Sequence, residues 1–220
     1  MTFINGISHS LAAVIFSVSL AAPAAGKTAI DYPPWPQVDF AGQAASADAR
    51  YAASRVLSAS DHQGLPFVIV DKKDARIFVF GPDGQLRGAS AALLGLASGD
   101  HSTPDIGARE LSRILPAERT TPAGRFLSQP GRNLQGEEVV WVKHSEGLAI
   151  HRLRAGSSLE QRAQRLASGT PDDNRISLGC VVVPVAFYQS VVAPVLGKSF
   201  SVVYVLPETF PVQALFGALD

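Results

Sequence analysis

Cys180 is the only cysteine in the 220-residue chain. It stands in the run Arg175-Ile176-Ser177-Leu178-Gly179-Cys180-Val181-Val182-Val183-Pro184, with Ala149-Ile150-His151-Arg152 upstream. A thiol attacks as the thiolate, and an imidazole is the usual neighbour that takes its proton at neutral pH. His151 ends an apolar run, where a strand would hold the ring rigidly. Gly179 lets the backbone approach a substrate carbonyl closely. The amides of Leu178, Gly179 and Cys180 are then candidates to face a developing oxyanion. Together these residues suit nucleophilic acyl transfer, with Cys180 as nucleophile and His151 as base. A lone cysteine also fits two other roles, a small buried hydrophobe or half of an intermolecular disulfide, and both stay open here.

The remaining polar candidates are weaker. Ser177 lacks the Gly-x-Ser-x-Gly surroundings of a nucleophilic serine and reads as a hydroxyl supporting the thiol. Arg175 belongs to a basic stretch (Arg152, Arg154, Arg162, Arg165, Arg175 against Glu160, Asp172 and Asp173) suited to substrate carboxylates. Trp141 is a candidate platform for a peptide, though a core aromatic is the plainer reading. His62, His101 and His144 lack the paired spacing of a zinc site and read as surface residues. His144 stands apart because it lies at the other end of the turn that leads to His151, within reach of a groove.

Positioning such a site requires a rigid frame, and the sequence is rich in β signals. Residues 67–70 and 76–80 are branched and aromatic runs around a polar turn, a hairpin pattern. Residues 86–94 extend it into a meander after the turn Gly81-Pro82-Asp83-Gly84. Further strands are expected at 138–143, 147–152 and 200–206. Helices are expected at 46–57, where Ala49, Ala52, Ala53, Val56 and Leu57 share a face, and at 108–115, 157–167 and 184–196, the last kinked at Pro194. Thr121-Pro122-Ala123-Gly124 has the residues of a type I turn. The expected class is mainly β with a few helices, a small twisted β-sandwich or barrel-like sheet.

Composition excludes several functions. With 46% hydrophobic and 17% charged residues the chain is globular. Its 19 Lys and Arg balance 19 Asp and Glu, so it has no long-range field for nucleic acid or an anionic membrane. Residues 11–22 form an apolar run too short to span a bilayer, and Ala22-Pro23-Ala24 suits signal peptidase, so 1–24 read as a signal peptide and the mature chain as having no stable membrane anchor. The expected boundaries are a lead-in with one short helix at 25–64, a single domain at 65–207 and a C-terminal tail at 208–220.

His151, Ser177, Gly179 and Cys180, with Thr121-Pro122-Ala123-Gly124-Arg125-Phe126 upstream, resemble the L,D-transpeptidase (YkuD) family of bacterial cell-wall enzymes. The resemblance covers residues 65–207. It departs from the family pattern at Leu178, where a histidine is usual, at Val182, where an arginine is frequent, and in a longer loop between His151 and Ser177. The resemblance implies that Cys180 attacks the diaminopimelate carbonyl of a peptidoglycan tetrapeptide stem and expels the terminal D-Ala. His151 would act as base and the main-chain carbonyl of Arg152 as its orienter, without metal or organic cofactor. It implies a periplasmic or cell-wall location. The acceptor is left open between a second stem, a protein lysine and water, as is oligomeric state. A noncatalytic wall-binding protein on the same fold is the alternative.

Overall fold

The computed structural model describes Thr2 and residues 37–154 and 158–217, and all but Thr2 of these lie in the compact unit Tyr32–Asp220. The expected signal peptide at 1–24 and most of the lead-in fall outside the described residues. No described helix is long and apolar enough to cross a membrane.

The frame is a mixed eight-stranded sheet in the order β3-β2-β1-β10-β5-β6-β7-β9. Its strands are β1 (Phe67–Asp71), β2 (Arg76–Phe80), β3 (Leu86–Ala91), β5 (Gly124–Arg132), β6 (Glu138–Lys143), β7 (Leu148–Arg152), β9 (Val181–Val183) and β10 (Ser201–Val205). Two short strands, β4 (Leu94–Gly95) and β8 (Arg175–Ser177), pair separately in parallel. Leu93 and Val182 exchange N–H···O bonds of 2.8 and 2.9 Å. That bridge links the chain leaving β3 to β9, the two ends of the sheet order, and curls the sheet into a barrel-like form. The class is thus mainly β with few helices, as expected.

The apolar runs in β1 and β2 are continuous because both faces of this part of the sheet are buried. Val68, Val70, Ile77 and Val79 point to the barrel interior with Val140, Ile150, Val181 and Val203. Phe67, Ile69, Phe78 and Phe80 point outward beneath helix α1 (Ala47–Ser58). Helix α1 begins where Ser46 accepts a 3.0 Å bond from the Ala49 amide, and it buries Ala49, Ala52, Ala53 and Val56. A helical run closes the barrel interior. It comprises α3 (Val185–Phe187), a π turn (Tyr188–Val192) and α4 (Ala193–Leu196), and it contributes Tyr188, Val192 and Leu196 to the core. Pro194 has no amide to give Ser190, and the ladder widens just before it, with the Ala193 amide reaching Tyr188.

Several expectations are corrected. Residues 106–118 contain three short 3₁₀ turns rather than a helix at 108–115; Pro116 interrupts the segment and only Ile106 and Ile114 are buried. Thr121-Pro122-Ala123-Gly124 is extended, not a turn: Thr120 bridges Ala97 and the Ala123 amide reaches the Asp100 carbonyl. In the 157–167 segment, α2 covers only Arg162–Ala167, after a 3₁₀ turn at Ser158–Glu160, and residue 157 is outside the described set. His62 is 7% exposed, packed against Phe67 and bonded to the Pro82 carbonyl, so it is not a surface histidine. Residues 208–217 pack closely, with Val212 buried and Phe216 against Tyr51 and Tyr204.

Candidate active site

Parallel pairing of β7 with β9 places His151 opposite Val182 and Ile150 opposite Val181. Alternation sends Ile150 into the barrel and His151 to the other face, where Val182 packs with Leu93 and Leu166 of α2. Cys180 stands one residue before β9, so parity puts thiol and imidazole on one face, two positions apart along the strand.

His151 is 9% exposed, and its Nδ1 lies 2.8 Å from the Arg152 carbonyl. A carbonyl only accepts, so Nδ1 carries the proton and Nε2 keeps its lone pair, the form a general base needs. Burial pushes the ring down to about 4; the Arg152 carbonyl opposes this, while the Arg154 and Arg162 charges add to it. Above about pH 4 the ring is neutral and able to accept a proton.

The half-buried Cys180 donates through Sγ to the Gly147 carbonyl at 3.4 Å. Burial pushes its thiol up; the Ala149 amide and the Arg154 charge pull the other way without prevailing. Burial thus favours the neutral form of both the thiol and the imidazole. Two results follow. Alkylation of Cys180 by iodoacetamide should be slow at pH 7 and keep rising through pH 9, whereas a preformed thiolate–imidazolium pair would give a plateau from about pH 6. The second concerns stability. Because the folded His151 value lies below the ordinary 6.5, the unfolded chain binds the proton first as pH falls. Stability held above pH 6.5 should be lost between pH 6.5 and 4. Thermal midpoints of His151→Gln should fall less than wild type over that window; parallel pH curves would contradict the buried neutral ring.

The loop before Cys180 is braced internally. Ser177 Oγ donates to the Cys180 carbonyl at 2.7 Å and accepts from the Gly179 amide at 3.0 Å. Ser177 thus supports the backbone rather than the thiol, and the Gly179 amide is already engaged. Of the three amides expected to face an oxyanion, those of Leu178 and Cys180 remain candidates.

Arg175 is directed away from a substrate role. It pairs with Glu208 and donates to the Lys72 carbonyl at 2.9 Å, with its side chain 16% exposed. Trp141 is half-buried over Gly131, and His144 is exposed and edge-on to it at 4.8 Å between centroids. Trp141 lies in β6 opposite Ala149 of β7, and His144 begins the β6–β7 connection, which ends at Gly147, the residue whose carbonyl accepts from Cys180 Sγ. The sequence reading missed Thr121, buried between Gly95 and Gly179, and the buried Lys72–Asp100 pair beneath it. The Thr-Pro motif was the available signal for the first. Lys72 lies in a run of charges that reads as an exposed hairpin turn, so nothing marked it.

Comparison with known proteins gives likeness at the level of solved structures alone. The chain is similar to the helical cell shape determining protein of Campylobacter jejuni (15% identity, TM-score 0.43, 67% of this chain and 49% of that one). It is also similar to an L,D-transpeptidase from Mycobacterium smegmatis (15%, 0.37, 64% and 58%) and one from Xylanimonas cellulosilytica (16%, 0.38, 64% and 60%). It spans about half to three fifths of their lengths. No family model and no curated protein matches. At such identity and fit no residue's role transfers from any of them to this chain.

Proposed function

We propose that the protein is an exported cysteine acyltransferase of the L,D-transpeptidase type, acting on peptidoglycan stem peptides in the periplasm or cell wall. The observation that carries this reading is the 2.8 Å bond from His151 Nδ1 to the Arg152 carbonyl. It leaves a buried Nε2 lone pair on the strand that runs beside β9, at whose start the only cysteine stands. In support of this reading, Thr121 and Ser177 are hydrogen-bonded to the Gly179–Cys180 segment, and the strand register sets His151 two positions along from Cys180.

In the proposed reaction the Cys180 thiol leaves the Gly147 carbonyl and turns toward the substrate. His151 Nε2 takes its proton as the sulfur attacks the carbonyl of the third stem residue, and the Leu178 and Cys180 amides meet the oxyanion. The bond to the terminal D-Ala breaks, and the imidazolium returns its proton to the leaving amine. An amine acceptor then attacks the thioester carbonyl, the C–S bond breaks, and His151 Nε2 carries the acceptor's proton to the departing Cys180 sulfur; water as acceptor would give the carboxypeptidase outcome. Neither metal nor organic cofactor takes part. The half-buried Trp141 and the exposed His144 are the proposed contact for the stem.

A second reading, a noncatalytic wall-binding protein, is favoured by one observation, the neutral thiol held on the Gly147 carbonyl. Mass spectrometry of purified muropeptides after incubation with the protein separates the two. Cross-linked or D-Ala-shortened stems support the enzyme; unchanged stems that nevertheless co-sediment with the protein support the binder.

A further inference from the structure

Thr121 lies at the junction of three segments with no exposure to solvent. Its hydroxyl accepts from the Gly95 amide at 2.8 Å and donates to the Gly179 carbonyl at 2.7 Å. The Gly179 carbonyl belongs to the peptide unit that carries the Cys180 amide, so this bond fixes the plane of that amide. Gly179 itself takes a φ of +135°, and a Cβ there would lie 2.8 Å from the Thr120 carbonyl oxygen. Residues 120 and 121 therefore form the floor on which the Gly179–Cys180 peptide rests, one through close contact and the other through a hydroxyl.

That floor is pinned from below. The Thr121 carbonyl accepts from Lys72 Nζ at 2.9 Å, and the same ammonium donates to the Gly99 carbonyl at 2.5 Å and to Asp100 Oδ1 at 2.6 Å. All three ammonium protons thus have acceptors at a residue 1% exposed. Asp100 is held by the Glu208 and Thr209 amides and the Thr209 hydroxyl. Glu208 turns to Arg175, which begins β8; β8 ends at Ser177, the other end of the Cys180 loop. The loop is thereby anchored at both ends to one buried cluster. Apolar residues of similar volume would stabilise such a place at least as well, but they would not fix the direction of a peptide plane.

We propose that Thr121 is a positioning residue for the thiol and the oxyanion amide: its hydroxyl, held in place by Lys72, sets the orientation of the Gly179–Cys180 peptide. The inference rests on the acyl-transfer reading for its kinetic part, while its geometric part stands without it. Thr121→Val keeps the shape and removes the hydroxyl; Thr121→Ser keeps the hydroxyl. A displacement near 1 Å at a reacting group costs about 10²-fold in rate, so in a wild type that turns over stem peptide, Thr121→Val should lower kcat roughly 10- to 100-fold with KM little changed. Thr121→Ser should restore most of it.

The second readout needs no turnover. Release of the loop frees the thiol from the Gly147 carbonyl, so Cys180 alkylation by iodoacetamide at pH 8 should become several-fold faster in Thr121→Val and stay near wild type in Thr121→Ser. General destabilisation would also speed alkylation, so the near-wild-type rate and turnover of Thr121→Ser are what assign the effect to the hydroxyl. If the valine variant does not fold, Thr121→Ala takes its place with the same two expectations. A wild type without turnover overturns the proposed function and leaves alkylation to decide the positioning role. Equal alkylation rates in all three proteins, or a serine variant as impaired as valine, would overturn the role of the hydroxyl.

Discussion

Replacing Cys180 with alanine should reduce acyl transfer to stem peptides below detection while leaving the thermal midpoint within a few degrees of wild type. The thiol donates to the Gly147 carbonyl, and Cys180 is only half-buried at the mouth of its loop. Its removal therefore forfeits little packing. It does remove the only thiol in the chain, and no other side chain at the site is a substitute: Ser177 Oγ is occupied by the Cys180 carbonyl and the Gly179 amide. His151→Ala should give the smaller loss of roughly 10²–10⁴-fold expected when a general base is removed. Rates compared by D-Ala release would check both. Undiminished D-Ala release by Cys180→Ala would remove the thiol from the chemistry.

The second large effect is expected far from any substrate. Lys72→Met should destabilise the fold by about 3–5 kcal/mol, the usual cost of stripping one partner from a buried ion pair, which corresponds to a midpoint on the order of 10 °C lower for a chain of this size. Burial, with a lesser push from the Arg175 charge, pulls Lys72 below an ordinary lysine, and Asp100 and Glu208 counter that pull without prevailing. Burial likewise opposes the charge on Asp100, but the bonds from Lys72, Thr209 and the Glu208 amide outweigh it and take the carboxyl down to about 2. Asp100 is thus ionised at any pH above 4, and methionine would leave it with Glu208 against Arg175 alone. Thermal unfolding followed by circular dichroism at pH 7 tests this. A change below about 1 kcal/mol would show that the cluster is solvated rather than sealed.

The elements with strong local signals were readable from residues alone. The β1–β2 hairpin follows from two branched and aromatic runs around a polar turn, and α1 from alanines at helical spacing. His151 and Cys180 stood out as candidates because few residue types do this chemistry and the chain has one cysteine. What escaped was set by tertiary contacts. Thr121-Pro122-Ala123-Gly124 has turn residues, yet the Thr121 hydroxyl finds Gly95 and Gly179 and the segment stays extended. Arg175 was assigned to substrate because its partner, Glu208, is distant in sequence within what read as a tail. The protonation states escaped for the same reason: burial opposes the charged forms of both His151 and Cys180, and neither can be judged before packing is known.

Intact-mass measurement of the protein mixed with a tetrapeptide stem tests the central claim, activation of Cys180 by His151, most directly. The expected result is one adduct equal in mass to the stem without its terminal D-Ala, formed together with free D-Ala. The adduct should be absent in Cys180→Ala, and in His151→Ala it should form at least about 10²-fold more slowly. Folded protein with a confirmed reduced Cys180 that shows no adduct and releases no D-Ala, or an adduct that forms equally fast without His151, would contradict it.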